Sequence, residues 1–198
     1  MKVNQAAFDC GQLAERMAQG YHAHTAALAV ATDPGAKALV PTVQPGFIVP
    51  VSFVRRKDGT QLAFHYHFYL DQARSNPAIA EDTERVWLVG SLLAVGDAAS
   101  LHRYFDRAPE LELLRHLRNG VAHGNRFRID NRASLVKFPA HNKLAWTRSQ
   151  GKAEFEINPA LKGQTVLFDF MGPGDVLDVL MSVGQYLIRM GNGDRLRP

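Results

Sequence analysis

Residues 109–123 could form a helix whose polar side chains are suited to proton transfer and phosphate binding. At about 100° per residue, Leu113, Leu114, Leu117 and Val121 share one arc, which predicts the face that packs in the core. The opposite arc carries Glu112, His116, Asn119 and His123. Arginines lie between the two arcs. The spacing therefore predicts a helix that is buried on one side and presents carboxylate, imidazole and amide groups on the other.

His123 comes at the end of this helix, directly before Gly124. Histidine titrates near neutral pH, so it can both accept and donate a proton. The helix C-terminus favours the protonated imidazole, whereas the positive charge of Arg118 opposes it. Arginine presents a planar set of donors that suits a phosphate. Histidine and arginine without a carboxylate pair fit phosphodiester chemistry that needs no metal.

The residues from Arg118 to His123 read Arg-Asn-Gly-Val-Ala-His. They match the R-N-x-x-x-H form of the signature of HEPN domains, and the chain therefore resembles this family of helical bundles. The motif ends a helix that follows another long helix, and the resemblance covers about residues 80–125 and 173–190. The resemblance implies a mainly α fold (α-rich α+β), with one HEPN-like domain over residues 1–198.

The resemblance also implies a function, since many HEPN proteins are metal-independent endoribonucleases that dimerise so that two motifs line one cleft. It implies catalytic roles for Arg118, Asn119 and His123. His123 would act as base on a ribose 2′-hydroxyl or as acid toward the leaving 5′-oxygen. Arg118 would bind the scissile phosphate, and Asn119 would orient the imidazole or the phosphate. The implied partners are RNA, a second copy of the chain and a cognate antitoxin, in a prokaryotic toxin or defence setting, with no cofactor and no metal.

Basic residues are concentrated around the motif. Residues 101–150 contain ten Lys and Arg but four Asp and Glu, a net charge of +6, whereas the rest of the chain sums to −2. Such local charge favours a partner that bears phosphates. The residues predicted to extend the RNA-binding surface are Arg115, His116, Arg126, Arg128 and Arg132. A solvated basic surface is an equally simple interpretation of these side chains.

Four helices and two strand-rich segments are predicted. Apolar periodicity and helix start and stop signals predict helices at about 4–30, 80–105, 109–123 and 173–190. An Asp-Gly turn between two runs rich in aromatic and β-branched residues predicts a β hairpin at 47–70. Polar and apolar residues alternate within 133–170, which predicts a few more short antiparallel strands, at 135–138, 154–157 and 166–170. Both segments would be insertions in a helical HEPN core.

Composition excludes several classes of protein. Cys10 is the only cysteine among 198 residues, which excludes a disulfide framework and a multi-cysteine zinc module. The apolar stretches are too short to span a bilayer, and the N-terminus lacks the apolar core of a signal peptide. These features predict a soluble, cytoplasmic protein without a membrane partner.

Two other functions remain open. The chain could be a non-catalytic HEPN-like module that binds RNA or a protein, and this depends on whether Arg118 and His123 face an open cleft. It could also be a metal-dependent hydrolase that uses His65 and His67, which share a face if residues 61–70 form a strand. The hydrolase would bind a metal and lose activity with a chelator.

Overall fold

The computed structural model describes residues 3–145 and 153–196, which are mainly helical with one two-stranded hairpin. The α-helices are α1 (Gln5–Ala31), α2 (Tyr66–Ser75), α3 (Pro77–Leu101), α4 (Pro109–Ala122), α5 (Arg132–Lys137) and α6 (Pro173–Asn192). The strands are β1 (Val51–Arg55) and β2 (Gln61–His65), and 3-10 turns cover Pro34–Leu39, Phe105–Arg107 and Pro159–Leu161. The prediction of an α-rich fold with a β hairpin is confirmed.

The chain divides into two compact units. Met1–Gly20 and Val86–Pro198 form the first, which contains α4, α5 and α6, and Tyr21–Arg85 form the second, which contains the hairpin and α2. The prediction that residues 1–198 make one HEPN-like domain stays a prediction. In the described ranges, no helix combines the length and the apolar character needed to cross a membrane.

Helices α4 and α6 pack together in the first unit. The side chains of α4 that the sequence places on its core face are all buried, namely those of Leu113, Leu114, Leu117 and Val121. On α6, the Tyr186 hydroxyl donates a hydrogen bond to the Arg107 carbonyl at 2.8 Å. This bond ties α6 to the 3-10 turn Phe105–Arg107, which directly precedes α4.

A clamp built on Asn125 fixes the turn that follows α4. Gly124 and Asn125 have φ angles of 79° and 59°, a left-handed conformation that glycine and asparagine adopt most readily. The Asn125 amide accepts a hydrogen bond from the N–H of Leu167 at 2.9 Å and donates one to the Leu167 carbonyl at 3.2 Å. Leu167 is buried, so the clamp anchors the residues beside His123 to the core.

In the second unit, β1 and β2 pair antiparallel, with Val51 opposite His65 and Arg55 opposite Gln61. The prediction that the second strand continues to residue 70 is wrong, because α2 begins at Tyr66. Residues 66, 67 and 70–73 are half-buried, whereas 68, 69, 74 and 75 are exposed, and burial does not alternate from one residue to the next as it would in a strand. The aromatic residues at 66–69 favour a strand locally, but the packing of one helical face decides the structure.

The strands predicted within 133–170 are largely replaced by other structure, and residues 146–152 of that segment lie outside the described residues. Residues 135–138, predicted as a strand, lie in α5 and its C-terminal cap. The Asn131 side chain caps α5 by accepting a hydrogen bond from the N–H of Ala133 at 3.1 Å. Elsewhere in the described part of the segment there are isolated bridges, such as Arg126 with Thr165, rather than a ladder. Apolar runs this short do not distinguish strand from helix.

A close contact makes Gly120 a test of the packing around the motif. A Cβ at position 120 would overlap the Cγ2 methyl of Val166, which is fully buried, whereas a Cβ at Gly90 on α3 would meet nothing within 4 Å. Gly120→Ala should therefore destabilise the protein by about 1–2 kcal/mol, because overpacking outweighs the gain in helix propensity. Gly90→Ala should stabilise it by up to about 1 kcal/mol. Urea unfolding measures the change in the free energy of unfolding for both variants. Equal changes in the two variants would contradict the packing argument.

Candidate functional site

The polar face of α4 is less exposed than the sequence predicts. The side chains of Glu112 and His116 are only 5% and 7% exposed. The 3-10 turn Phe105–Arg107 packs against α4, and the N–H of His141 donates a hydrogen bond to the Pro109 carbonyl at 3.2 Å. These segments, one before α4 and one after it, cover the side of the helix that holds Glu112. The predicted solvent exposure of Glu112 and His116 is therefore wrong.

Glu112, Arg115 and His116 form one charged cluster. Arg115 donates from Nε to Glu112 Oε2 at 2.9 Å and from Nη2 to Oε1, so the guanidinium is held by both carboxylate oxygens. Its Nη2 also lies 3.1 Å from Nε2 of His116. Burial and, secondly, the positive charge of Arg115 lower the pKa of His116 to about 4. His116 is therefore neutral at cellular pH, and its Nε2 accepts from Arg115.

Arg118 turns toward α3. Its Nε and Nη2 donate hydrogen bonds to Oδ1 of Asp97 at 2.8 and 2.6 Å, and its Nη1 donates to Oδ1 of Asn119 at 3.2 Å. The aliphatic part of the side chain runs over Gly96, where a Cβ would lie 2.5 Å from Cγ of Arg118. The side chains of Arg118 and Asp97 are 31% and 59% exposed, so this is a surface ion pair.

Asn119 and His123 line a common cavity of about 400 Å³. The other lining residues are Arg115, His116, Arg128, Ile129, Asp130, Asn131 and Ser134. His123 caps the C-terminus of α4 and is exposed, and its backbone N–H donates to the Gly120 carbonyl at 3.2 Å. The structure thus places two of the three motif side chains together, while Arg118 is not among the residues that line their cavity.

The predicted RNA-binding residues divide into two groups. Arg115, His116 and Arg128 line the His123 cavity. Arg126 does not line it, because its Nη1 donates to the Gly163 carbonyl at 2.8 Å. Arg132 is the exposed first residue of α5. Helical spacing alone therefore brings the α4 residues to the cavity, whereas the arginines after the helix are distributed by the loop that follows.

Sequence reasoning missed Asp97 and the buried role of Glu112. Asp97 lies 21 residues before Arg118 on another helix, and no local pattern connects the two. Glu112 precedes Arg115 by three residues, a spacing at which helical side chains meet. That spacing is a signal that could have indicated the pair, although not its burial.

The two histidines considered as metal ligands lie in different secondary-structure elements. His65 is the last residue of β2, and His67 lies within α2, so the two do not share a strand face as the sequence predicts. The part of the chain that the structure describes contains no group of three or more His, Cys, Asp or Glu side chains that could hold a metal ion.

Comparison of the chain with protein-family models, with curated proteins and with solved structures gives no match.

Proposed function

We propose that this chain is a metal-independent endoribonuclease of the HEPN type that acts as a homodimer. The observation that carries the proposal is the shared cavity of Asn119 and His123 at the end of α4, which also contains Arg115 and Arg128. An exposed imidazole beside guanidinium groups supplies a proton-transfer group and phosphate donors without a metal.

The proposed reaction cleaves RNA by intramolecular attack. His123 removes the proton of a ribose 2′-hydroxyl, or protonates the leaving oxygen, and the 2′-oxygen attacks the adjacent phosphorus. The bond from phosphorus to the 5′-oxygen breaks, which leaves a 2′,3′-cyclic phosphate and a 5′-hydroxyl. DNA is not cleaved because it lacks the 2′-hydroxyl.

Arg118 stabilises the charge on the scissile phosphate in this proposal. Its ion pair with Asp97 is exposed, and such surface pairs contribute about 0–1 kcal/mol. Exchange of Asp97 for a phosphate therefore costs little. The hydrogen bond from Arg118 to Asn119, which lines the His123 cavity, places the guanidinium beside that cavity. Arg126 and Arg128 belong to the wider RNA surface.

The cellular setting is part of the proposal and rests on the family resemblance. A second copy of the chain would bring a second motif to the same cleft, and a cognate antitoxin would restrain a toxin or defence protein of the prokaryotic cytoplasm. The analytical test of the dimer is the mass of the protein in solution, measured together with its RNA-cleaving activity.

The decisive experiment is RNA cleavage in the presence of EDTA, with the product ends identified. We expect cleavage that survives EDTA and leaves cyclic phosphates, and we expect Arg118→Ala to reduce it. A requirement for a divalent metal, or products that carry 5′-phosphates, would contradict the proposed mechanism.

A second candidate is a non-catalytic module that binds RNA. The observation that favours it is that all three guanidinium nitrogens of Arg118 donate to Asp97 or Asn119, while Arg118 itself is not among the residues that line the His123 cavity. This candidate predicts that the protein binds diverse RNAs but leaves them intact, in the same assay and at the same protein concentration.

A further inference from the structure

Two more cavities continue along α4 from the His123 cavity. They have volumes of about 360 and 370 Å³, and both are lined by Phe105, Phe138, Asp106 and Glu112. The second of them shares Arg115 and Ser134 with the His123 cavity. Because neighbouring cavities share lining side chains, the three lie side by side along α4. We call the pair lined by Phe105 and Phe138 the aromatic cavity.

The aromatic cavity offers ring surfaces and positive charge together. The Phe105 and Phe138 side chains are half-buried, so part of each ring remains accessible. The Lys137 ammonium lies 5.0 Å from the centre of the Phe138 ring. Arg103 and Arg107 also contribute to the lining, with Nε of Arg107 3.7 Å from Oδ1 of Asp106. With Arg115, four cationic side chains line the cavity against the carboxylates of Asp106 and Glu112. A planar ligand with a phosphate can use both features, because rings stack on aromatic side chains while cations neutralise phosphates.

Arg115 lies at the boundary between the aromatic cavity and the His123 cavity. Glu112 holds its Nε and Nη2, and this carboxylate is nearly fully buried. Within residues 3–145 and 153–196, Nη1 of Arg115 has no hydrogen-bond partner in the structure. The guanidinium is thus held in position and retains N–H donors for a ligand. Because the side chain is already ordered, the entropic cost of binding is lower.

The geometry points to a nucleotide-binding subsite in the aromatic cavity: we propose that it takes a base next to the cleaved linkage, stacked on Phe138 and Phe105, and that Arg115 binds the adjoining phosphate. This inference rests on the proposed function, because it assigns the substrate strand a path along α4. Arg115 precedes His123 by eight residues, or about 12 Å of helix. The Arg115 side chain lines the His123 cavity as well, so the two cavities adjoin at Arg115 and can hold a base and the reacting phosphate of neighbouring nucleotides.

The proposed stacking of a base in the aromatic cavity is tested with short 2′-O-methyl oligonucleotides. These can bind but cannot be cleaved, because the nucleophilic hydroxyl is blocked. Calorimetry measures the affinity of the protein for each oligonucleotide and for versions of it that lack the base at one position. For the native chain, we expect loss of one particular base to weaken binding roughly tenfold, the effect of removing one base–aromatic stack. Phe138→Leu should abolish that difference. Phe68→Leu, which changes an exposed aromatic side chain on α2 in the other unit, should preserve it.

The phosphate contact is tested on Arg115. Arg115→Lys keeps the charge but loses the planar fork, and the double variant E112Q/R115Q removes both charges without leaving a buried carboxylate unpaired. We expect both to bind the same oligonucleotide several-fold more weakly. The salt dependence of the double variant should lose about one unit of slope, as for one phosphate contact. Unchanged affinity in both variants would overturn the role of Arg115.

The outcomes separate this inference from the proposed function. If RNA is cleaved in EDTA but the penalty for the missing base is the same in Phe138→Leu, the nuclease stands and the subsite is wrong. If no RNA is cleaved but Phe138→Leu removes the penalty, the subsite stands in a non-catalytic module. Absence of any oligonucleotide binding by the native chain overturns the subsite.

Discussion

Replacing His123 with alanine should reduce the rate of RNA cleavage in EDTA by about 10²- to 10⁴-fold, the usual contribution of a general acid or base. His123 is the exposed imidazole of its cavity, and the other histidine there, His116, is buried and has a pKa of about 4. His116 is therefore a weak base that is shielded from solvent, so it is poorly suited to replace His123 in proton transfer. Initial rates on a fluorescent RNA measure the effect.

Two controls isolate the chemistry from folding and binding. His22→Ala changes an exposed histidine of α1 and should leave the cleavage rate unchanged. The affinity of His123→Ala for a 2′-O-methyl oligonucleotide should stay within a few-fold of the native value, because His123 is assigned to proton transfer. Equal cleavage by native and His123→Ala protein would mean that the active group lies elsewhere or in a contaminant.

The long helices α1, α3, α4 and α6 could be predicted from the sequence because each has a periodic apolar face and local end signals, whereas the short helices α2 and α5 were predicted as strands. The prediction for 109–123 differs from the observed Pro109–Ala122 only at its last residue. Pro109 opens that helix, and Gly124 follows it with a left-handed φ. Helical spacing also brought His116, Asn119 and His123 together correctly, since all three line one cavity.

The environment of the site could not be predicted, because it depends on residues distant in the chain. Asp97 from α3 decides where Arg118 points, and the segments at Phe105–Arg107 and around His141 decide that Glu112 is buried. The prediction of a strand at 135–138 was wrong for a related reason, because strand formation depends on a pairing partner elsewhere in the chain. An Asn131 cap and a short helix satisfy its backbone locally, and no neighbouring strand pairs with it in the described residues.

The protein should lose stability as the pH falls from about 6.5 to 4, and His116 should account for a large part of that loss. An unfolded chain protonates this histidine near its ordinary pKa of 6.5, whereas burial and the Arg115 charge lower the pKa in the folded state to about 4. Between these values the unfolded state binds more protons, so acidification favours unfolding. From pH 7.5 to 4.5, the shift corresponds to about 2–3 kcal/mol.

His116→Gln should remove this component and leave the rest of the acid sensitivity in place. Carboxylates whose pKa is lowered in the folded state, such as that of Glu156 beside Lys143, lose stabilisation in acid in both proteins, and their effect cancels in the difference. Urea unfolding of native, His116→Gln and His22→Gln protein at pH 7.5 and 4.5 provides the comparison. Native and His22→Gln protein should lose about 2–3 kcal/mol more than His116→Gln.

Equal losses of stability in all three proteins would mean that His116 is accessible and protonated in the folded state. The cavity would then hold a second imidazole able to exchange protons, and His123 could no longer be the sole candidate for the catalytic base.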